Sequence, residues 1–415
     1  MFAKRYLDNG IPVVMEQLRY FRSFILGVWI KVGSRNETHD KNGISHFLEH
    51  MFFKGTKKRS ATEISIDIDS LGGELNAFTS RENTAFYVKV LDEYIERGIE
   101  LLSDIFLHSV FSEEEIEKEK NVIKEEIKLV EDTPDDYIHD LFSKTIWGDR
   151  GLGQPVLGKK ETIKNFTRDD LINHVRKYYG TKDTVIACAG NFDQDHVLDL
   201  LNHYFGRLRR GSEPELFPAP SFNSEVAVYT KDLSEVHICL GVEGIPYASD
   251  DRYTIAVLNT ILGAGVSSRL FQEIREKKGY AYSIFSFVSA YIDTGFWAVY
   301  AGTGRKKALT VTDLIINEMN GLYETITDAE LKRAKDQLKG NLILSLESVG
   351  SRMQSIARQE IYYGRYFSQR EIMKEIDSVT LKQAKDLAKR LINDSKMSMT
   401  ILGPVDKEEF KGYFD

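Results

Sequence analysis

"FILGVWIKVG", residues 24–33, runs through a polar loop into "ISHFLEHMFF", residues 44–53, and from residue 236 the order returns as "VHICLGVEGI", a polar loop and "YTIAVLNTIL". Each first member reads as an apolar strand and each second as a helix. The match extends further: "SEEEIEKEKNVIKEEI" (112–127) pairs with "TDAELKRAKDQLKGNL" (327–342), and "FTRDDLINHVRKYYGTKDTVIACAGNF" (166–192) with "VTLKQAKDLAKRLINDSKMSMTILGPV" (379–405), at an offset near 210–215 residues throughout. Two halves of like architecture result, 1–208 and 223–415, joined by "RRGSEPELFPAPSF" (209–222), which holds three of the eight prolines and reads as an extended linker. Runs of strands lie beside runs of helices, so the expected class is α+β: two homologous α/β sandwiches related by internal duplication. A chain of 415 residues is long for one core, which agrees.

Within the first half, Ser60 and Glu63 form a capping-box signature for a helix that stops at Gly72-Gly73. "ELNAFTS", a polar turn and "TAFYVKVL" then read as a hairpin. The repeat also supplies an internal control. At an offset of 210, His46, Glu49 and His50 fall opposite Ala256, Asn259 and Thr260. The second copy keeps the helix without the polar cluster, so the cluster is not needed for folding.

With 55 basic against 63 acidic residues, the net charge of -8 offers no overall positive field for nucleic acid or anionic lipid. Cys188 and Cys239 sit in apolar runs and read as reduced core side chains, which suits a reducing compartment. "MFAKRYLDNGIPVVMEQL" has neither an apolar leader core nor an Arg/Ser-rich amphipathic stretch, and no run approaches the roughly 18 apolar residues of a membrane span. The expectation is a cytoplasmic protein without membrane insertion.

His46 and His50, four apart on a helix, direct their imidazoles at one point, with Glu49 projecting beside them. A catalytic zinc site needs a third protein ligand and an open fourth position. On a helical wheel for 112–131, Ile116, Ile123, Ile127 and Val130 form an apolar stripe, with Val122 and Leu129 to one side. Glu119 and Glu126 fall between the two apolar groups, where a carboxylate is partly buried and needs a partner or a metal, whereas Glu125 points at solvent. Geometry selects Glu126 or Glu119 and rejects Glu125.

HxxEH is the inverted zincin motif. With "HFLEHMFFKGT", "GGELNAFTSRENTAFYV" and "EKNVIKEEI", the whole chain resembles the insulinase/pitrilysin family of zinc peptidases, especially the processing-peptidase branch. The resemblance implies that the third ligand is Glu126, 76 positions after His50, and that Glu119 assists catalysis. It implies one zinc ion per chain held by His46, His50 and Glu126, with Glu49 as general base taking a proton from water and passing it to the leaving amine. It further implies that Arg275 and Tyr282, in "SSRLFQEIREKKGYAYS", bind substrate and stabilise the oxyanion, with Tyr280 a competitor if the register slips.

The strand "ELNAFTS" reads equally as an internal strand or as a sheet edge to which an extended peptide adds; the resemblance implies the edge, with Asn76, Ala77 and Thr79 facing substrate. By the same resemblance Phe53 lines a pocket beyond the scissile bond, and Asp136 and Asp140 receive an arginine upstream of it. It also implies a homodimer whose active sites are shared, the zinc of one subunit facing Arg275 and Tyr282 of the other. The rivals are a catalytically silent scaffold subunit of the same family and a small-molecule metallohydrolase. "LGAGVSSR" (262–269) and "GTGRKK" (302–307) lack phosphate-loop spacing and read as loops, and His39, His108 and His139 read as structural.

Overall fold

The run at 24–33 is a central strand in a computed structural model that describes residues 1–211 and 218–414, so that 212–217 of the linker lie outside the described residues. In chain order the first sheet contains β1 (Phe2–Tyr6), β2 (Pro12–Gln17), β3 (Ser23–Ile30), β4 (Glu74–Thr79), β5 (Thr84–Leu91) and β6 (Thr184–Gly190). Its strand order is β1-β2-β6-β3-β5-β4, which leaves β4 as an edge. The second sheet contains β7 (Val226–Thr230), β8 (Val236–Glu243), β9 (Ala281–Ala290), β10 (Gly295–Thr303) and β11 (Met397–Gly403), in the order β7-β11-β8-β10-β9. Apart from the added β1, the two orders superpose strand for strand, as the sequence repeat requires. Both sheets are mixed: β6 pairs parallel with β2 and antiparallel with β3, and β11 does the same with β7 and β8.

The first five helices in chain order are α1 (Ile44–Phe52), α2 (Ala61–Ser70), α3 (Ile95–His108), α4 (Glu113–Glu131) and α5 (Pro134–Trp147). Helix α1 buries Phe47, Leu48, Met51 and Phe52 in the main core of the first sheet. Each such side chain stabilises by about 1.5–3 kcal/mol, so the helix is pinned by one face while the histidines project from another. Its first turn is closed by a loop carboxylate: Glu37 Oε2 accepts from the Gly43 amide at 2.7 Å and Glu37 Oε1 from the Ser45 amide at 2.8 Å, satisfying donors that a helix start leaves open. Helix α2 has the expected capping box, Ser60 accepting from the Glu63 amide and the Glu63 carboxylate from the Ser60 amide.

The chain divides into two compact units, and neither is contiguous: one is 1–129, 150–218 and 345–366, the other 130–149, 219–344 and 367–415. The halves 1–208 and 223–415 therefore exchange a helix. Helix Val349–Tyr363, encoded in the second half, covers the outer face of the first sheet, where Val349, Met353, Ile356 and Ala357 meet Val14, Ile25, Trp29 and Ala187. Helix α5, encoded in the first half, covers the corresponding face of the second sheet: Phe142 and Trp147 pack edge-on against Phe296, and Thr400 donates to Thr145 at 2.8 Å. The cause is burial on both faces. β6 and β11 are buried along their whole length, so each sheet needs helices on either side.

Cys188 in β6 and Cys239 in β8 are free and buried, as expected. Among the described residues no helix is long and apolar enough to cross a membrane.

Candidate metal centre

Helices α1 and α4 bring His46, His50 and Glu126 together, with one ligand atom of each within 4.8 Å of the others. Glu126 Oε2 lies 3.8 Å from His46 Nε2 and 3.6 Å from His50 Nε2. These separations exceed hydrogen bonds and are near the roughly 3.4 Å that separates two ligands of a tetrahedral ion at roughly 2.1 Å. Glu126 Oε2 is buried without a hydrogen-bond partner, as is His46 Nδ1. An orphaned carboxylate oxygen facing two imidazole nitrogens is a donor set suited to zinc, so the residues present fit the ion.

Protonation states favour the same reading. Burial, and then neighbouring His50, pull His46 down to about 3, leaving it neutral with a lone pair to give. At His50 burial pulls downward, but the hydrogen bond to Glu119 and the surrounding carboxylates outweigh it and the imidazole is raised. Its Nδ1 lies 2.7 Å from Glu119 Oε1, which turns Nε2 toward Glu126. Glu119 is 2 % exposed and takes a second partner, Lys54 Nζ at 2.7 Å from Oε2. Burial pushes this carboxyl up, yet the hydrogen bonds from His50 and Lys54 prevail and hold it below the ordinary carboxylate range.

Of the two glutamates left open by the helical wheel, Glu126 faces both imidazoles and Glu119 stands behind His50. Glu125 projects into solvent. Ile116, Ile123 and Ile127 are buried as the stripe requires and Val130 is half-buried, whereas Val122 and Leu129, read as a second apolar group, are exposed.

Glu49 projects beside the pair, and Thr79 Oγ1 donates to its Oε2 at 2.6 Å. Burial raises the Glu49 carboxyl above its ordinary value, against the Thr79 hydrogen bond. Strand β4 alternates, so its three expected substrate residues do not share a face. Ala77 packs toward the main core and Thr79 reaches Glu49, while Asn76 is exposed opposite Tyr87 on the other face. Phe53, at the C-terminal end of α1, is half-buried against the main core, with its ring 6.3 Å from that of Phe86.

Arg275 and Tyr282 belong to the second unit. Arg275 is exposed on a turn of π-helix, Phe271–Lys277, and Tyr282 is 78 % exposed on β9, with the guanidinium 5.6 Å from the Tyr282 ring centroid. Tyr280, the competitor, is packed against the second core and lies under Lys307. On α5, Asp136 is exposed and Asp140 half-buried. His139 rests among Phe285, Phe287 and Tyr300, and His108 lies 3.3 Å from Asp104, so both have structural surroundings.

In the second unit the counterparts of the metal cluster are spent on packing. Asn259 Oδ1 accepts from Trp297 Nε1 at 3.0 Å, and the Thr260 hydroxyl turns back to the Ala256 carbonyl. Sequence reasoning overlooked Lys54 and Glu37. Lys54 was detectable, since it lies one helical turn past His50. Glu37, a loop carboxylate, carries no periodic signal.

A two-unit α+β chain with a His–His–Glu cluster in one unit defines a metallopeptidase-like class. Residues 13–160 match the insulinase family (peptidase family M16), and residues 165–338 match the peptidase M16 inactive domain. The chain belongs to the M16 family. It is 41% identical over 97% of its length to the uncharacterized zinc protease YmxG of Bacillus subtilis (strain 168), covering 98% of that protein. A protease from Helicobacter pylori of known crystal structure is similar with a TM-score of 0.91 at 25% identity, over 97% of this chain and 99% of that one. A chain of complex III2 from Candida albicans aligns with a TM-score of 0.84 at 24% identity over 98% of both chains, a likeness of fold alone.

Proposed function

We propose that this chain is a zinc-dependent endopeptidase acting on unfolded or extended peptides, with one zinc ion per chain. The observation that carries the reading is the convergence of His46, His50 and an unpartnered Glu126 oxygen beside a buried Glu49. When bound, the zinc ion supplies Lewis-acid polarisation of a carbonyl and a water acidified toward neutral pH. His46, His50 and Glu126 hold the ion, and Glu119 fixes the tautomer of His50. Glu49 takes the proton of the attacking water and later delivers it to the leaving amine nitrogen, and burial, which raises its carboxyl above the ordinary value, makes it the better base for that exchange.

Strand β4, as a sheet edge, offers unpaired main-chain groups to an extended peptide, a grip tolerant of sequence. Arg275 and Tyr282 are assigned to substrate and oxyanion binding, Phe53 to the pocket beyond the scissile bond, and Asp136 with Asp140 to an arginine before it. We assign the site to a homodimer in a reducing, cytoplasmic setting, with Arg275 and Tyr282 supplied by the partner subunit. Mixing His50→Ala with Arg275→Ala chains tests the sharing, and failure of mixed dimers to recover activity argues for sites completed within one chain.

A silent scaffold subunit is the second reading, left open by the match of residues 165–338 to the peptidase M16 inactive domain. Against it, His46, Glu49, His50, Glu126, Arg275 and Tyr282 are all present. Zinc stoichiometry with hydrolysis of a quenched-fluorescence peptide library separates the readings. A peptidase binds one zinc and cleaves, and Glu49→Gln keeps the zinc but loses cleavage; wild-type protein that binds zinc and cleaves nothing is a scaffold.

A further inference from the structure

We propose that Thr79 is a positioning residue for the general base: its hydroxyl holds one oxygen of Glu49 so that the other faces the reacting water. The inference rests on the reading of Glu49 as base. Thr79 Oγ1 lies 2.6 Å from Glu49 Oε2. A hydroxyl has one proton to donate, and here it goes to Oε2. Oε1 is left to accept the proton from water and to return it to the leaving amine.

A glutamate side chain has three rotatable bonds, and a proton acceptor is effective only when held at hydrogen-bond reach of its donor. The anchor for Thr79 is independent of the metal cluster. Thr79 closes β4 opposite Thr84, and Ser80 bonds Asn83 across the turn at 2.7 Å. The end of the hairpin is tied by a buried ion pair, Arg35 to Glu82 at 2.6 Å, with the Tyr362 hydroxyl donating to Glu82 at 3.0 Å. The strand assigned to receive peptide thus also carries the group that aims the base. The hydroxyl proton of Thr79 is spent on Glu49, so this role is additional to the substrate contact read in the sequence.

The test uses the full-length zinc-loaded protein and three variants. Thr79→Val keeps the shape and removes the donor, Thr79→Ser keeps the donor, and Glu49→Gln gives the background. Thr79→Val is expected to lower kcat about 10–100-fold with KM within about twofold, and Thr79→Ser to recover to within about threefold. Zinc content and unfolding midpoint stay at wild-type values, and Thr79→Val added to Glu49→Gln lowers the residual rate no further. A raised KM with unchanged kcat, or a Thr79→Val loss that adds fully to that of Glu49→Gln, overturns the proposal. Wild-type protein that binds zinc yet cleaves nothing defeats the peptidase reading instead; the positioning is then read from crystal structures of wild type and Thr79→Val, where an unmoved Glu49 carboxylate refutes it and a rotated one supports it.

Discussion

The Nδ1 of His50 and the Oε1 of Glu119 lie 2.7 Å apart, although 69 residues separate them in the chain. A carboxylate can only accept, so the imidazole donates from Nδ1 and its lone pair is fixed on Nε2, the atom that faces Glu126. Lys54 on the second Glu119 oxygen offsets the cost of burying that charge. Replacing Glu119 by alanine should therefore weaken zinc binding about 10–100-fold without removing a ligand. Titration against a chromophoric chelator measures this, and an unchanged affinity denies Glu119 its orienting role.

The pH dependence of zinc binding should count one proton. His50, raised by Glu119 and the other carboxylates against the pull of burial, is protonated as pH falls and must release that proton to bind the ion. His46, depressed to about 3, is already neutral and adds nothing. The logarithm of the affinity should fall by up to about one per pH unit below the raised His50 value. Two per unit between pH 7 and 5 would mean that both imidazoles compete with the metal.

How much of this was legible depended on whether the cause was local. The spacing of His46, His50, Glu119 and Glu126 follows helix periodicity, and the structure has those four side chains in one cluster. The capping box at Ser60 came from an equally local rule, whereas the β4 edge was read through the family resemblance, because an edge is a property of the sheet and not of the strand. The exchange of α5 and Val349–Tyr363 is a long-range packing event that the repeat conceals, because a repeat compares segments and says nothing of which sheet a helix covers. Its trace was the unbroken apolar run "TVIACAG", which called for cover on two faces. Opposite faces for Asn76 and Ala77 were readable from strand alternation, while the Glu37 contacts at the start of α1 had no pattern to read.

The exchanged helix should be indispensable to the first unit. Met353 is fully buried, with its Sδ 3.3 Å from Trp29 Nε1, and a Cβ built on Gly27 would stand 2.6 Å from that sulfur. Met353→Ala should cost about 2–5 kcal/mol through the cavity it leaves, and Gly27→Ala about 1–3 kcal/mol by overpacking the same contact. Their combination should cost less than the sum, since a shortened residue 353 makes room for the new methyl. Urea denaturation of the two single variants and the double variant checks this; strict additivity would mean the contact does not limit packing.

His174 should make stability depend on pH with a definite sign. It is buried behind α1, with Nε2 3.5 Å from Ser45 Oγ, and burial first, then Lys177, depress it to about 3. In the unfolded chain it takes up a proton near its ordinary 6.5. Between those values the unfolded state binds more protons, so the His174 contribution is full above about pH 6.5 and is lost as pH falls, at up to about 1.4 kcal/mol per unit. Glu37 acts in the opposite direction: burial raises it to about 7, so its protonation favours the folded state as pH falls from there toward 4.5. The wild-type curve alone mixes the two, and the difference between wild type and His174→Gln isolates one. That stability difference should shrink by about 2 kcal/mol between pH 6.5 and 5, as read from urea midpoints of metal-free protein. A difference that stays constant across the window would mean that His174 is protonated in the fold, and that its place behind the helix bearing His46 and His50 is not dry.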